Sequence, residues 1–444
     1  MTDTASTLGR LTYEGQQELA PRGDTSAEVL REESGAVLRL AEGNVVNADD
    51  VDFEVRDDET MIINMGPQHP STHGVLRLML ELQGETVLRS KPVIGYLHTG
   101  MEKTAEELMY IQGSTNVTRM DYLSPFFNEL AYCLAVEKLL GVEVPPRATW
   151  IRMLMCELNR ISSHLVSIGT MGTELGATTV MIVGFREREL LLAFFEKVTG
   201  LRMNHNYFRP GGVAADLPDG WRDDVVAICD TMDRRLDQYN ALIAGQPLFH
   251  QRLAGVGAIT AEQAIALGAT GPVLRSTGVP TDLRRDEPYL TYDEVDFDVI
   301  VGSAGDCWDR FLIRLSEMRE SLHIARQILD LVPAGDYRVA DRKVTPPPRS
   351  RIDESMEALI HHFKLFTEGL RVPVGETYVP IESPRGELGC YLVSEGSNKP
   401  YRLHIRAPSF NNLQSLPPML RGGLIADAVP VIASIDPVMG DVDR

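Results

Sequence analysis

Two histidines four residues apart, a tyrosine beside an aspartate, and an acidic chain end are the places where this sequence could do chemistry. The histidines lie in Gly66-Pro67-Gln68-His69-Pro70-Ser71-Thr72-His73-Gly74. An imidazole can ligate a metal or carry a proton near neutral pH. On a helix, His69 and His73 would face one way and resemble a metal-binding pair, but two prolines and two glycines forbid that helix. The stretch reads instead as a rigid turn between strands, its imidazoles hydrogen-bonding the backbone. Asp121 and Tyr122 lie in Thr118-Arg119-Met120-Asp121-Tyr122-Leu123-Ser124-Pro125, at the mouth of a long helical pattern. The bland reading of that pair is a helix cap and a core ring. The chain closes on Ser434-Ile435-Asp436-Pro437-Val438-Met439-Gly440-Asp441-Val442-Asp443-Arg444. Termini usually fray, yet the apolar run from 428 to 435 predicts a buried tail.

Other chemistries are poorly supported. There is no GxxxxGK[ST] phosphate loop, GxSxG elbow or HExxH helix. The nearest dinucleotide fingerprint, Gly255-Val256-Gly257-Ala258-Ile259-Thr260, ends in threonine and opens no βαβ unit. The cysteines, Cys133, Cys156, Cys229, Cys307 and Cys390, form no CxxC pair and no zinc or iron–sulfur spacing. Their odd count and scatter predict reduced thiols in the cytoplasm. The net charge is −20, half of it in residues 1–60, where 15 acidic side chains face 5 basic ones. Such a surface repels a phosphate backbone, so nucleic acid is not an expected partner. The first twenty residues lack the basic start and apolar stretch of a signal peptide. No run of about 18 apolar residues occurs, so membrane association would go through partner proteins.

The elements that must position these residues follow from periodicity. Residues 1–60 are polar and acidic and read as an extension. A strand is expected from Met61, with an antiparallel pair over 75–81 and 86–94. Apolar residues then recur at three- and four-residue steps over 101–112, 124–140, 147–168, 179–199, 219–244, 307–331 and 352–368. Thr260-Ala261-Glu262-Gln263 is a capping box for a short helix. Strand formers return over 377–381, 387–394 and 401–407. The expected fold class is α+β, mainly α: β-rich over 61–95, a helical bundle over 101–370, and a β-rich part over 374–444.

Seven segments carry a family resemblance: GPQHPSTHGVLRL (66–78), GYLHTGMEK (95–103), TRMDYLSPF (118–126), AVEKLLGVEVPPRATWIR (135–152), FREREL (185–190), YFRPGGV (207–213) and SIDPVMGDVDR (434–444). In this order they resemble the D subunit of respiratory complex I, the NADH:quinone oxidoreductase, from about Met61 to Arg444. That family is similar to the large subunit of nickel–iron hydrogenases, which implies the same helical body with β-sheet at both ends. Hydrogenases hold nickel and iron with RxCGxC and DPCxxCxxH. Laid over this chain, the four thiolates become Asp121, Ser124, Val438 and Asp441. Nickel and low-spin iron need soft sulfur donors, so the resemblance implies a cavity emptied of metal that takes a quinone headgroup.

The resemblance implies roles residue by residue. Tyr122 and His73 would hydrogen-bond the two quinone carbonyls and donate protons, with Glu174, where relatives usually carry aspartate, coupling to the histidine. A bland alternative for Glu174 is a helix-end charge facing water. His69, Arg119, Asp121, Val438 and Asp441 would line the quinone pocket and the vicinity of an iron–sulfur cluster. This chain would hold no cofactor. The [4Fe–4S] cluster belongs to the adjacent B subunit, and NAD(H) and FMN lie elsewhere in the complex. Expected partners are the B, C and I subunits of complex I and the H subunit of its membrane arm, with the chain on the cytoplasmic face of the cell membrane. Two departures stand out: Thr99 replaces a frequent arginine, and Asn204 replaces a frequent histidine near the cluster. Both remove positive charge, which implies a lower-potential cluster with weak pH dependence, suited to menaquinone. Competing expectations are a related membrane-bound hydrogenase large subunit, a non-catalytic scaffold between the cluster-bearing subunit and the membrane arm, and a metal hydrolase using His69 and His73.

Overall fold

The computed structural model describes residues 60–444; the expected acidic extension lies almost entirely outside them. It is mixed α+β and mainly helical, with small antiparallel sheets near both ends of the described region. The first sheet joins β1 (Met61–Met65), β2 (Arg77–Gln83) and β3 (Thr86–Val93). Leu78, Leu80 and Leu82 of β2 point into the main core, as period-two alternation requires. The histidine stretch is the connection from β1 to β2. As its prolines demand, it is a loop with a single 3-10 turn, Pro70–Thr72.

The helical body begins with α1 (Met101–Glu107) and α2 (Tyr110–Val117). The sequence predicts one helix over 101–112, and the structure breaks it. Leu108 and Met109 are extended. The Gln112 side chain accepts the Met109 amide at 3.1 Å, and the Tyr110 amide donates to Asn398 O at 3.1 Å. A partner nearly 300 residues away is invisible to local periodicity. Then come α3 (Pro125–Leu140), α4 (Pro146–Glu174) and α5 (Thr178–Thr199). At 29 residues α4 is roughly 44 Å long. It packs against α5, the later α7 (Cys307–Leu331) and the C-terminal tail, so it is buried almost without break from Trp150 to Gly169. Between these, the ribbon β4 (Phe208–Arg209) and β5 (Gly212–Val213) precedes α6 (Trp221–Tyr239), which ends in a wider turn over 240–244. The capping box at Thr260 forms as expected. The helix anticipated over 352–368 is α8 (Met356–Thr367).

The second large sheet joins β6 (Gly375–Ser383), β7 (Gly386–Ser394) and β8 (Arg402–Arg406). Only Pro384 and Arg385 separate β6 from β7. Gly386 there has φ +131°, and a Cβ on facing Gly271 would come within 2.5 Å of the Gly386 Cα. This close approach needs two glycines, and it lodges the hairpin tip against the core. The tail is α9 (Ala428–Ile435) and α10 (Met439–Asp443), both buried as their apolar lead-in predicts. Asp436 between them is left-handed (φ 57°), a conformation aspartate tolerates better than bulkier residues.

Candidate functional site

Arg385 draws the scattered motifs together. An arginine at a two-residue hairpin tip is ordinarily solvated, yet this one is fully buried. Its Nη1 donates to Asp121 Oδ2 at 2.7 Å and to Ser163 Oγ of α4 at 3.1 Å. Its Nε donates to the Asp436 carbonyl at 3.0 Å, and Nη2 lies 3.1 Å from Asp436 Oδ2. Two carboxylates offset the cost of burying the cation, and together they hold its pKa above the ordinary arginine value despite burial.

Asp121 is a cap, though for a tight turn and not for the helix proper. Its Oδ1 accepts the amides of Leu123 (3.1 Å) and Ser124 (3.2 Å), and its Oδ2 accepts the Ser124 hydroxyl. This turn presents Tyr122 outward at 36% exposure, so the tyrosine is no core ring. Its ring rests on Gly440 of α10. A Cβ there would sit 3.4 Å from two ring carbons and 2.5 Å from the Met120 carbonyl. Burial first, then the Asp121 charge, raise the Tyr122 pKa, while Arg385 pulls it down.

The two histidines separate in role. His69 caps the 3-10 turn, its Nδ1 accepting the Ser71 amide at 3.2 Å, which is the backbone bonding expected of a turn histidine. His73 follows the turn with φ 53°. Its Nε2 is buried without a hydrogen-bond partner. Burial lowers its pKa, Asp436 raises it, and Arg385 lowers it further. Tyr122 and His73 thus share Asp436 and Arg385 as charged neighbours. Among the described residues, no group of three or more His, Cys, Asp or Glu could hold a metal ion.

The remaining expected residues fall into two sets. Asp441 is fully buried; its Oδ2 accepts the Ser409 amide at 3.0 Å while Oδ1 has no partner. Burial, then the charge on Asp121, push it up to about 6. Val438, buried, caps α10 by accepting the Asp441 amide at 3.0 Å. Asp121 bonds Arg385 directly, Asp441 feels its charge, and Ser124 bonds Asp121, with Val438 one turn from Asp441. Glu174 ends α4 with Oε2 buried and unpartnered. Burial and the negative Asp436 push it up to about 8, so it is not the solvated helix-end charge of the bland reading. Asp436 acts on both His73 and Glu174. Arg119 stands apart: its side chain is exposed and donates to the Thr115 carbonyl at 2.5 Å. Thr99 is exposed, and Asn204 is left-handed with its Oδ1 buried and unpartnered.

Sequence reasoning overlooked Arg385, and Asp436 entered only as part of a motif. Pro384-Arg385-Gly386 between two strand patterns marks a hairpin tip, and nothing local says that the tip is buried. Glu129 was missed too. Wholly buried on α3, it accepts the Thr118 hydroxyl (2.7 Å) and the amides of Asn206 (2.5 Å), Tyr207 (2.9 Å) and Phe208 (3.0 Å). It ties the turn before Tyr122 to the Asn204–Phe208 segment, and burial pushes it up to about 7 against those hydrogen bonds.

Comparison with known proteins gives the family. Residues 174–444 match the family described as the respiratory-chain NADH dehydrogenase, 49 Kd subunit. A protein from Streptomyces avermitilis, named as a D subunit of NADH-quinone oxidoreductase, is 55% identical over 406 residues, covering 87% of this chain and 92% of its own length. The protein of the same name from Saccharopolyspora erythraea is 51% identical over 439 residues (95% and 97%). Another so named, from Roseiflexus, is 56% identical over 390 residues (87% and 93%). With a matched family across more than half its length and relatives this close across most of it, the chain belongs to the 49 Kd, or D-subunit, family of respiratory-chain NADH dehydrogenases.

Proposed function

We propose that this chain forms the quinone-headgroup site of an NADH:quinone oxidoreductase and donates protons from Tyr122 and His73 as the quinone is reduced. The carrying observation is a set of buried polar atoms left without partners: His73 Nε2 and Asp441 Oδ1, which both feel Arg385, and Glu174 Oε2, which shares Asp436 with His73. Each such atom costs roughly 1–3 kcal/mol when unsatisfied. Several together fit a site completed by a polar ligand, and a quinone offers two carbonyl acceptors on a flat apolar ring.

Reduction to a quinol consumes two electrons and two protons. The family resemblance implies electrons from an iron–sulfur cluster on a neighbouring subunit, so this chain's own residues supply binding and protons. Tyr122 offers an O–H donor and His73 an N–H donor. The imidazole is the readier source, since its ordinary pKa is about 6.5 against about 10 for a phenol. Loss of the phenolic proton leaves an anion beside Asp121 and Asp436, and Arg385 is the counter-charge that makes it tolerable. Asp121 acts by holding the turn, and Asp436 by linking His73, Arg385 and Glu174 electrostatically.

The test is Tyr122→Phe in the assembled complex. Removing one oxygen at a partly exposed position should leave assembly intact and lower quinone reduction by about 10²–10⁴-fold, the usual worth of a positioned proton donor. Undiminished turnover would contradict the proposal and leave the chain a scaffold.

A further inference from the structure

Helix α8 turns an apolar stripe to solvent at a place where the surrounding cations have no counter-charge. Met356, Leu359, Ile360, Phe363 and Phe366 recur at three- and four-residue steps, which puts them on one side of the helix. Each is between 46% and 72% exposed. Both ends of the helix are fixed, so the stripe is a held surface. At the start Ser355 Oγ accepts the Ala358 amide at 3.4 Å, and at the end the Glu368 carbonyl accepts Asn398 Nδ2 at 2.6 Å. Leu365, on the other side of α8, is buried.

Leu365 and Val344 help to wall two cavities. One, of about 920 Å³, is lined by Met109, Ile111, Val213 and Phe366 and carries Arg209 and Arg338 with no carboxylate. The other, of about 1100 Å³, is lined by Leu140, Val142 and Leu370. It carries Arg342, Lys343, Lys364 and Arg371, with His361, against Asp341 and Glu368. Apolar hollows beside an apolar stripe suit a segment that inserts large side chains as anchors.

The charges say what else that segment must carry. Six Lys and Arg side chains face two carboxylates in the cavity walls, and among the described residues none of the six is ion-paired. Arg209 and Arg338 meet neutral acceptors instead, the Asn206 carbonyl at 3.4 Å and the Tyr337 hydroxyl at 2.6 Å. Several surface arginines elsewhere are matched: Arg147 by Asp216, Arg202 by Glu189, Arg326 by Asp233 and Arg402 by Glu106. The start of α8 is near balance, with Arg349 and Arg351 against Asp353, Glu354 and Glu357, so the cationic excess lies in the cavity walls. This is a reversal of sign in a chain of net charge −20. Its complement is apolar and acidic.

We infer that this face seats an acidic, apolar segment of a neighbouring subunit. Large apolar side chains of that segment fill the two cavities and cover the α8 stripe. Aspartates or glutamates between them pair with Arg209, Arg338, Arg342, Lys343, Lys364 and Arg371. A second copy of this chain would bring the same cations face to face. A flat bilayer surface presents no side chains to fill either cavity. As a member of a subunit family, the chain has neighbours to supply the segment, and this holds independently of the quinone site.

Photocross-linking in the assembled complex tests this. Phe363→p-benzoylphenylalanine should attach to a peptide of another subunit, with aspartate or glutamate within a few positions of the attachment point. Leu359→p-benzoylphenylalanine serves the same purpose should the first variant fail to assemble. Arg338→Glu with Lys364→Glu should cut the yield at least about tenfold, because partner carboxylates would then face like charge. Where that reversal blocks assembly, Arg338→Gln with Lys364→Gln should cut the yield several-fold. Attachment to residues 1–59 of this chain, to a second copy, to lipid or to a segment without acidic residues would overturn the proposal, as would no attachment at all. A yield indifferent to these charge changes would overturn the pairing.

Discussion

At the scale of single residues, Asp436 links more of the site than any residue picked out by sequence pattern. It holds a left-handed backbone angle, pairs with Arg385 and sets the field at both His73 and Glu174. Glu174 makes this measurable. The folded chain keeps its carboxyl protonated up to about pH 8, against an ordinary value of 4.5. Between those values the folded state binds more protons than the unfolded one, so stability falls as pH rises through the window. Glu174→Gln has no such proton to lose. Hydrogen exchange at the C-terminal turn of α4 in the assembled complex should show the wild type loosening between pH 5 and pH 8 while the glutamine variant stays flat. Parallel pH profiles would mean that the glutamate titrates normally. His73, Tyr122, Asp121 and Asp441 stood out because they lie in unusual local sequence, but the roles expected of them came from the family resemblance. Arg385 was not, because its partner Asp121 is 264 residues away and its burial comes from the Gly271–Gly386 approach.

Among the elements, α3 performs two tasks with adjacent side chains. Asn128 Nδ2 donates to the Asp121 carbonyl at 3.1 Å, while Glu129 holds Thr118 and the 206–208 amides. Glu129→Ala removes the acceptor for four donors, each costing roughly 1–3 kcal/mol when left unpaired. Amides 206–208 should then exchange much faster and the Tyr122 turn should loosen, with quinone reduction falling while α7 keeps its protection. Unchanged exchange at 206–208 would mean that water or another group replaces the carboxylate at no cost. Helix periodicity gave α3, α5 and α7 to within a residue, since each has a continuous apolar face and a clear stop, whereas α4, expected over 147–168, runs on to Glu174. Periodicity failed at Leu108-Met109, where a tertiary hydrogen bond from Tyr110 to Asn398 outweighs local preference. The strand patterns over 377–381 and 387–394 bracket the β6–β7 turn more loosely than its two residues, and its depth in the core depends on elements that no window of sequence contains.

The whole molecule is a part made for an assembly. No described helix is long and apolar enough to cross a membrane. Helix α8 turns Met356, Leu359, Ile360, Phe363 and Phe366 outward, each at least 46% exposed. An apolar stripe of that kind marks a contact surface. On the proposed quinone reading, Thr99 and Asn204 bear on the assembly as well. With neither position positively charged, the neighbouring cluster should titrate at a low midpoint that hardly moves with pH, measured by redox titration of the intact complex. A strongly pH-dependent midpoint would show that another group on this chain or its partner supplies the proton.

All of this depends on a headgroup reaching the cluster of charges around Arg385. The most direct measurement is a structure of the assembled complex with quinone bound. One quinone oxygen should lie about 2.6–3.2 Å from the Tyr122 hydroxyl and the other at like distance from His73 Nε2, the range of a working proton transfer. A headgroup resting elsewhere, with His73 Nε2 still unpartnered or bonded to another protein group, would contradict the assignment.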